Sequence, residues 1–116
     1  MPMSDCIFCK IARRDIPSEI AYEDDEILAF KDIQPLAPVH LVIIPKIHLR
    51  NLNDVTSEHE QLLGHLFGVI PRLAKEFGVA ETGYRVVTNN GTDGGQVVGH
   101  LHVHLLGGQA LNAAIG

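Results

Sequence analysis

Apolar positions along the chain follow two different periods. Between residues 57 and 77, Leu62, Leu63, Leu66, Phe67, Ile70, Leu73, Ala74 and Phe77 recur at helical spacing. That period lays one apolar face along a long amphipathic helix. Ser57 with Glu60 matches a capping box at its start, and Gly78 is placed to end it. Pro71 removes a backbone donor inside this stretch and predicts a kink or a split. Elsewhere the apolar runs are short and bounded by turn residues. Residues 20–23 and 27–31 read as a hairpin around Asp24, Asp25 and Glu26. Residues 32–38 form a loop punctuated by Pro35 and Pro38, and the apolar run 40–44 is a strand stopped by Pro45. Residues 84–89 predict a fourth strand and residues 100–106 a fifth, joined by the Gly-rich turn 90–99. Ahead of all these, Ser4 and Asp5 can cap a short helix over residues 6–13, with Pro17 beyond its end.

The order is short helix, three strands, long helix, two strands. It predicts an α+β fold with about five strands in a mainly antiparallel sheet. A chain of 116 residues fits one domain spanning 1–116. With no Trp, four Phe and two Tyr, the core must be aliphatic. The net charge of −5 disfavours a nucleic-acid partner, although one local site can still hold a small phosphorylated ligand. No apolar run approaches the ~18 residues of a membrane span. The first residues carry neither a basic nor an apolar leader region, so a cytoplasmic location is expected, with no membrane partner.

Seven His is the unusual count, and their placement carries the chemistry. In the run 100–106, His100, His102 and His104 alternate with Leu101, Val103 and Leu105. On a strand the three imidazoles face one side, and the aliphatic residues face the long helix. Such a row serves either as metal ligands or as a nucleophile with helpers. The turn before it, Asn89 to Gln96, holds glycines that let backbone N–H groups approach an anion. It feeds a strand rather than a helix, so it is not a P-loop. Cys6 and Cys9 lie three apart on the short helix, and their sulfurs can reach one metal ion or form a redox pair. His59 and His65, on the long helix, are assigned no function.

The His-x-His-x-His row resembles the defining motif of the histidine triad (HIT) superfamily. Its surroundings are similar to the Hint branch, the purine nucleoside phosphoramidases. The resemblance spans nearly the whole chain: Cys6 to Ile11, Asp24-Asp25, Leu28 to Phe30, Asp32-Ile33, Pro38 to His40, Ile44 to Lys46, Leu62 to Leu66 and Tyr84-Arg85. It continues through Asn89 and Gly94 to Gln96 to the His row and Gly107-Gly108.

The resemblance implies a mechanism. His102 is the nucleophile toward the α-phosphorus of an AMP-like substrate, and water then hydrolyses the nucleotidyl-His intermediate. The other ring nitrogen of His102 must be held by an acceptor, expected to be a carbonyl of the same strand. His104 supplies a proton to the leaving group or positions the phosphate, and His40 completes the cluster. Asn89 and the backbone of Gly95, Gln96 and Val97 hold the phosphate and the departing group. Animal members carry Ser where this chain has Val97, which removes one side-chain donor and predicts a modest change in rate or preference. Asp32 matches the carboxylate that accepts from the ribose hydroxyls. Phe8, Ile11, Ile16, Phe30 and Ile33 match the apolar slot for the purine.

Bacterial relatives complete the Cys6–Cys9 pair with His at the positions of His48 and His100. The resemblance therefore implies a structural zinc, with no cofactor required for catalysis. It also implies a homodimer, for which a small chain with a long apolar helix face has a physical motive. Three other readings stand beside the phosphoramidase: a dinucleoside polyphosphate hydrolase, a metalloenzyme using the His row as ligands, and a nucleotide-binding scaffold.

Overall fold

A computed structural model describes residues 6–113. Strands β1 (Ile20–Glu23), β2 (Ile27–Lys31), β3 (Val39–Pro45), β4 (Tyr84–Val87) and β5 (Val103–Gly107) form one antiparallel sheet in the order β1-β2-β3-β5-β4. Helix α1 (Ile7–Ala12) precedes the sheet, and α2 (Glu60–Glu76) lies between β3 and β4 in the chain. This is the α+β architecture with one long and one short helix that the periodicity predicts.

Strand alternation sends side chains to two differently covered faces. Ile27, Ala29, Leu41, Ile43, Val103 and Leu105 pack with Leu62, Leu66, Val69, Ile70 and Leu73 of α2 in the larger core. Leu28, Phe30, Val42 and Ile44 point the other way and pack with Phe8, Cys9 and Ile11 of α1. Helix α1 is short, so much of this second face stays open toward β5 and β4. His40, His102 and His104 lie on that face.

Local chemistry moves several boundaries. The cap of α1 is Cys6, whose Sγ accepts the Cys9 N–H at 3.4 Å; Ser4 and Asp5 lie outside the described residues. A 3₁₀ turn, Ser57–His59, precedes α2. The capping box there is Thr56 with His59 rather than Ser57 with Glu60. The Thr56 hydroxyl accepts the Glu58 N–H, and His59 Nδ1 accepts the Thr56 N–H at 3.0 Å. An imidazole acceptor thus does the work expected of a carboxylate.

At the other end Gly78, at φ 75°, closes α2 as a Schellman turn. The Gly78 N–H donates to the Lys75 carbonyl and the Val79 N–H to the Ala74 carbonyl. Pro71 does not split the helix, which runs unbroken through it. Both Pro71 and Phe67, whose carbonyl loses its donor, are exposed to water, which can replace the missing bond.

Strand β5 begins at Val103, not at His100, and β4 ends at Val87, not at Asn89. The backbone before β5 is bonded outside the ladder: the Leu101 N–H donates to the Leu49 carbonyl at 2.7 Å. The Thr88 hydroxyl likewise donates to the His102 carbonyl at 2.8 Å. The β1–β2 turn is closed by Asp24, which accepts the N–H groups of Glu26 and Ile27, the Tyr22 hydroxyl and His65 Nε2. Burial opposes ionisation of Asp24, but those four hydrogen bonds prevail and hold its carboxyl well below the usual range. His65 therefore ties α2 to this turn.

Candidate active site

Hydrogen bonds on the His-bearing face fix which ring nitrogen carries each proton. A carbonyl oxygen can only accept. His102 Nδ1 lies 2.6 Å from the His100 carbonyl, so Nδ1 holds the hydrogen and Nε2 presents a lone pair. The acceptor is a backbone carbonyl, as expected, but it comes from the segment before β5 rather than from the strand itself. Burial lowers the affinity of His102 for a second proton, with the His100 carbonyl and Asp32 opposing. The outcome is a neutral imidazole that keeps its Nε2 lone pair, the form in which imidazole is nucleophilic.

A second chain of bonds sets His104. The Leu36 N–H donates to His40 Nδ1 at 3.1 Å, so a neutral His40 carries its hydrogen on Nε2. That Nε2 lies 2.9 Å from His104 Nδ1, which must accept. The His104 hydrogen is thereby placed on Nε2. Burial lowers the pKa of His40 against the pull of Asp32, whose carboxylate is 3.5 Å away. Burial, then the neighbouring His102 and His40, push His104 down to about 4. The His102 and His104 rings stand 5.0 Å apart, edge to face. A lone pair and an N–H therefore stand beside each other, the arrangement that nucleophilic displacement with proton transfer needs.

The Gly-rich turn next to them is held by its own residues. A Cβ at Gly94 would sit 2.5 Å from the Asn90 carbonyl oxygen, so only glycine fits. The Gly95 N–H donates to Thr92 and the Gln96 N–H to Gly91, both at 3.0 Å. These two donors are occupied by the turn, whereas Val97, 92% exposed, keeps its N–H without an acceptor among the described residues. The Gln96 side chain is a strut. Its Nε2 donates to the carbonyls of Arg50 and Val98, and its Oε1 accepts from Gly91 N–H and Asn51. Asn89 Nδ2 donates to the Gly94 carbonyl at 2.8 Å.

The apolar set is brought together in part. Phe8, Ile11 and Phe30 are buried in one cluster with Ile16 against it, and Phe8 meets Phe30 and His102 edge-on at 5.4 and 5.0 Å. Ile33 does not join them and is 91% exposed. Asp32 accepts the Gln34 N–H at 2.8 Å through one oxygen. Its other oxygen faces His40.

Cys6, Cys9, His48 and His100 converge, with one donor atom from each within 4.8 Å of the others. The His100 Nε2–H donates to the Pro45 carbonyl at 2.9 Å, which leaves Nδ1 as a lone pair, 3.2 Å from Cys6 Sγ. His48 Nδ1 lies 3.3 Å from Cys9 Sγ, and its buried Nε2 has no partner among the described residues. Burial, with Cys6 beside it, pushes the Cys9 thiol up to about 11. Two sulfurs and two imidazole nitrogens make the donor set that suits zinc, which binds thiolate and would reverse that shift. The set is shared by α1, the segment after β3 and the approach to β5.

Sequence reasoning missed three contributors: the Leu36 N–H, the Thr88 hydroxyl and Arg85. Arg85 lines a cavity of about 430 Å³ beside His104, together with Val87, Asn89, Leu106 and the tail from Gln109. Only the alternation on β4 hinted at it, since residues 85, 87 and 89 share one parity.

The neutral imidazoles also predict how stability follows pH. Their native pKa values lie below the ordinary 6.5, so above that pH neither native nor unfolded chain binds the extra proton. Below 6.5 the unfolded chain protonates first, and stability is lost as pH falls toward 4. Each such group contributes up to ~1.4 kcal/mol per pH unit within that window. Thermal melts between pH 8 and pH 4 should be flat above 7 and fall steeply below 6.

Comparison with known proteins agrees with this geometry. The model of the HIT domain family matches residues 13–111. A curated protein of Escherichia coli K12, named purine nucleoside phosphoramidase, is 51% identical over 107 residues, covering 92% of this chain and 90% of its own. A histidine triad protein from Clostridium difficile superposes with a TM-score of 0.94 at 47% identity, over 99% of this chain and 100% of the other. A HIT family hydrolase from Legionella pneumophila superposes at 0.93 with 46% identity, over 97% and 100% of the two chains. With the neutral His102 and His104 beside each other on one face of the antiparallel sheet, the chain belongs to the HIT family and is a hydrolase of the histidine triad type.

Proposed function

We propose that this hydrolase, a single HIT domain over residues 1–116, cleaves the P–N bond of purine nucleoside phosphoramidates, including AMP–amine and AMP–lysine conjugates. His102 Nε2 attacks the α-phosphorus and forms a P–N bond while the bond to the leaving amine breaks. The amine departs with its nitrogen hydrogen-bonded by the neutral His104 Nε2–H and takes its proton from solvent. Water then attacks phosphorus, the bond to His102 breaks, and the proton from water returns to solvent. AMP is released and His102 is restored. The observation that carries this reading is the bond from His102 Nδ1–H to the His100 carbonyl. It fixes the attacking tautomer and stabilises the positive charge that develops on the ring during attack.

The resemblance assigns the rest of the site. Asp32 accepts from the ribose hydroxyls. Phe8, Ile11, Ile16 and Phe30 flank the purine, and the exposed Ile33 closes over it. Asn89 and the Val97 N–H face the phosphate. Gly95 and Gln96 serve by shaping the turn, since their own N–H groups are used within it.

Cys6, Cys9, His48 and His100 would hold zinc, which supplies a fixed cross-link and no reaction step. The enzyme would act as a homodimer: β4 is a free sheet edge with Tyr84 and Val86 exposed on it, and a second copy would cover that edge. A cytoplasmic location fits free thiols beside a nucleotide pool.

Release of AMP and ammonia from adenosine 5′-phosphoramidate tests the reading. Turnover should exceed that of diadenosine triphosphate by at least about tenfold, a difference of ~1.4 kcal/mol in the barrier. The reverse order would make the chain a dinucleoside polyphosphate hydrolase.

A further inference from the structure

Among the described residues, one cation, Arg85, lines the cavity beside His104. Arg85, Val87 and Asn89 of β4 and its extension face the same way as His104 and Leu106 of β5. Their register is explicit: Arg85 stands opposite Leu106, and Val87 opposite His104. Arg85 is therefore a diagonal neighbour of His104, within reach of a long side chain. No Asp, Glu or Lys among the described residues lines this cavity.

The other arginines are engaged elsewhere. Arg13, Arg14 and Arg50 pair with Asp15, Glu23 and Asp54, and Arg72 lies over the Tyr22 ring. Among the described residues, Arg85 has no carboxylate partner. One of its guanidinium nitrogens instead donates to the main-chain carbonyl of Asn112 in the tail, at 2.6 Å. An acceptor oxygen already occupies the place where a ligand's oxygen would bind.

His104 itself lines the cavity, and its Nε2–H is the group that meets the leaving nitrogen in the proposed reaction. In the proposed reading the purine packs against Phe8 of α1, whose ring meets His102 at 5.0 Å on the side away from β4. What enters beside Arg85 is thus the leaving group. We propose that this cavity is a leaving-group subsite in which Arg85 selects amines bearing a carboxylate next to the nitrogen. AMP–amino acid phosphoramidates with a free α-carboxylate are the substrate class. An α-carboxylate is one carbon away from the leaving nitrogen, which matches an Arg one diagonal step from His104. In a chain of net charge −5, a lone cation in a cavity free of acids also raises the local concentration of an anionic group.

This inference rests on the phosphoramidase reading, and a matched pair of substrates separates the two. The substrates are AMP–glycine joined through the P–N bond and the same compound as its glycinamide, nearly isosteric but neutral at the carboxyl end. The wild-type kcat/KM should favour the carboxylate by about tenfold, as expected for one charge-assisted hydrogen-bond pair. Arg85→Gln should bring that ratio close to one, and Arg85→Lys should retain part of it. The ratio is internal to each variant, so a general loss of folded protein does not move it. A wild-type ratio near one, or an unchanged ratio in Arg85→Gln, overturns the subsite and leaves the phosphoramidase reading standing. No turnover of either compound by the wild type overturns both.

Discussion

Replacing His102 with Asn should lower kcat/KM for adenosine 5′-phosphoramidate by about ten-thousandfold or more, the scale seen when a covalent nucleophile is removed. The Asn side chain can still donate a hydrogen bond toward the His100 carbonyl, so the backbone before β5 keeps its anchor. What disappears is the Nε2 lone pair. Because Asp32 and the apolar slot are untouched, the affinity for AMP should change by no more than about threefold, and equilibrium dialysis measures it. A residual rate within about tenfold of wild type would show that His102 does not form the intermediate. The site would then have to act by positioning water directly. His104→Ala separates the roles further. It removes the N–H proposed to hydrogen-bond the leaving nitrogen, so it should slow substrates with poor leaving amines more than those with good ones.

The second large effect concerns the sulfur–imidazole cluster. Purified protein should carry close to one zinc per chain, and a Cys6→Ser, Cys9→Ser double variant should carry none. Removing a ligand that binds only the native state costs ~4 kcal/mol when the free metal is a thousandfold above its dissociation constant. For a chain of this size that is about 15 °C in melting temperature. The loss should reach the active site by a defined route. His100 donates to Pro45 and its carbonyl orients the His102 ring, while Phe8, between the two Cys, lies 5.0 Å from that ring. The double variant should therefore lose activity well below its melting temperature. An unchanged zinc content would place the metal elsewhere. An unchanged melting temperature would make the cluster a pair of inert thiols.

Most of the fold was legible because its signals are local. The 3.6-residue period of α2, the hairpin at Asp24 and the aliphatic β3 each announce themselves within about twenty residues. The misplacements come from competition among nearby donors. Thr56 with His59 displaced Ser57 with Glu60 as the cap, because an imidazole lone pair can accept an N-cap N–H as a carboxylate does. The strand expected to start at His100 starts at Val103, because Leu49 and Thr88 claim the backbone before it.

Within the site, the His row and the Cys pair were visible as motifs. The proton pattern was not. It depends on the N–H of Leu36, a residue chosen for no visible chemistry, meeting His40 across a loop. Gln96 shows the opposite case. The resemblance marks its backbone as a contact for the phosphate, whereas its N–H is bonded within the turn and its side chain braces that turn through four hydrogen bonds. Arg85 was hidden for a third reason. Its partner across the sheet is set by β4–β5 register, and one sequence does not give register.

In the proposed reaction His102 carries the nucleotide during turnover. The most direct test is intact mass. Wild type and His102→Ala are mixed briefly with an AMP phosphoramidate and quenched at alkaline pH, where a phosphorus–imidazole bond survives. Wild type should gain the mass of one nucleotidyl group per chain, and His102→Ala none. Turnover by wild type with no adduct at any mixing time, abolished by a chelator, would contradict the account and turn the His row into metal ligands.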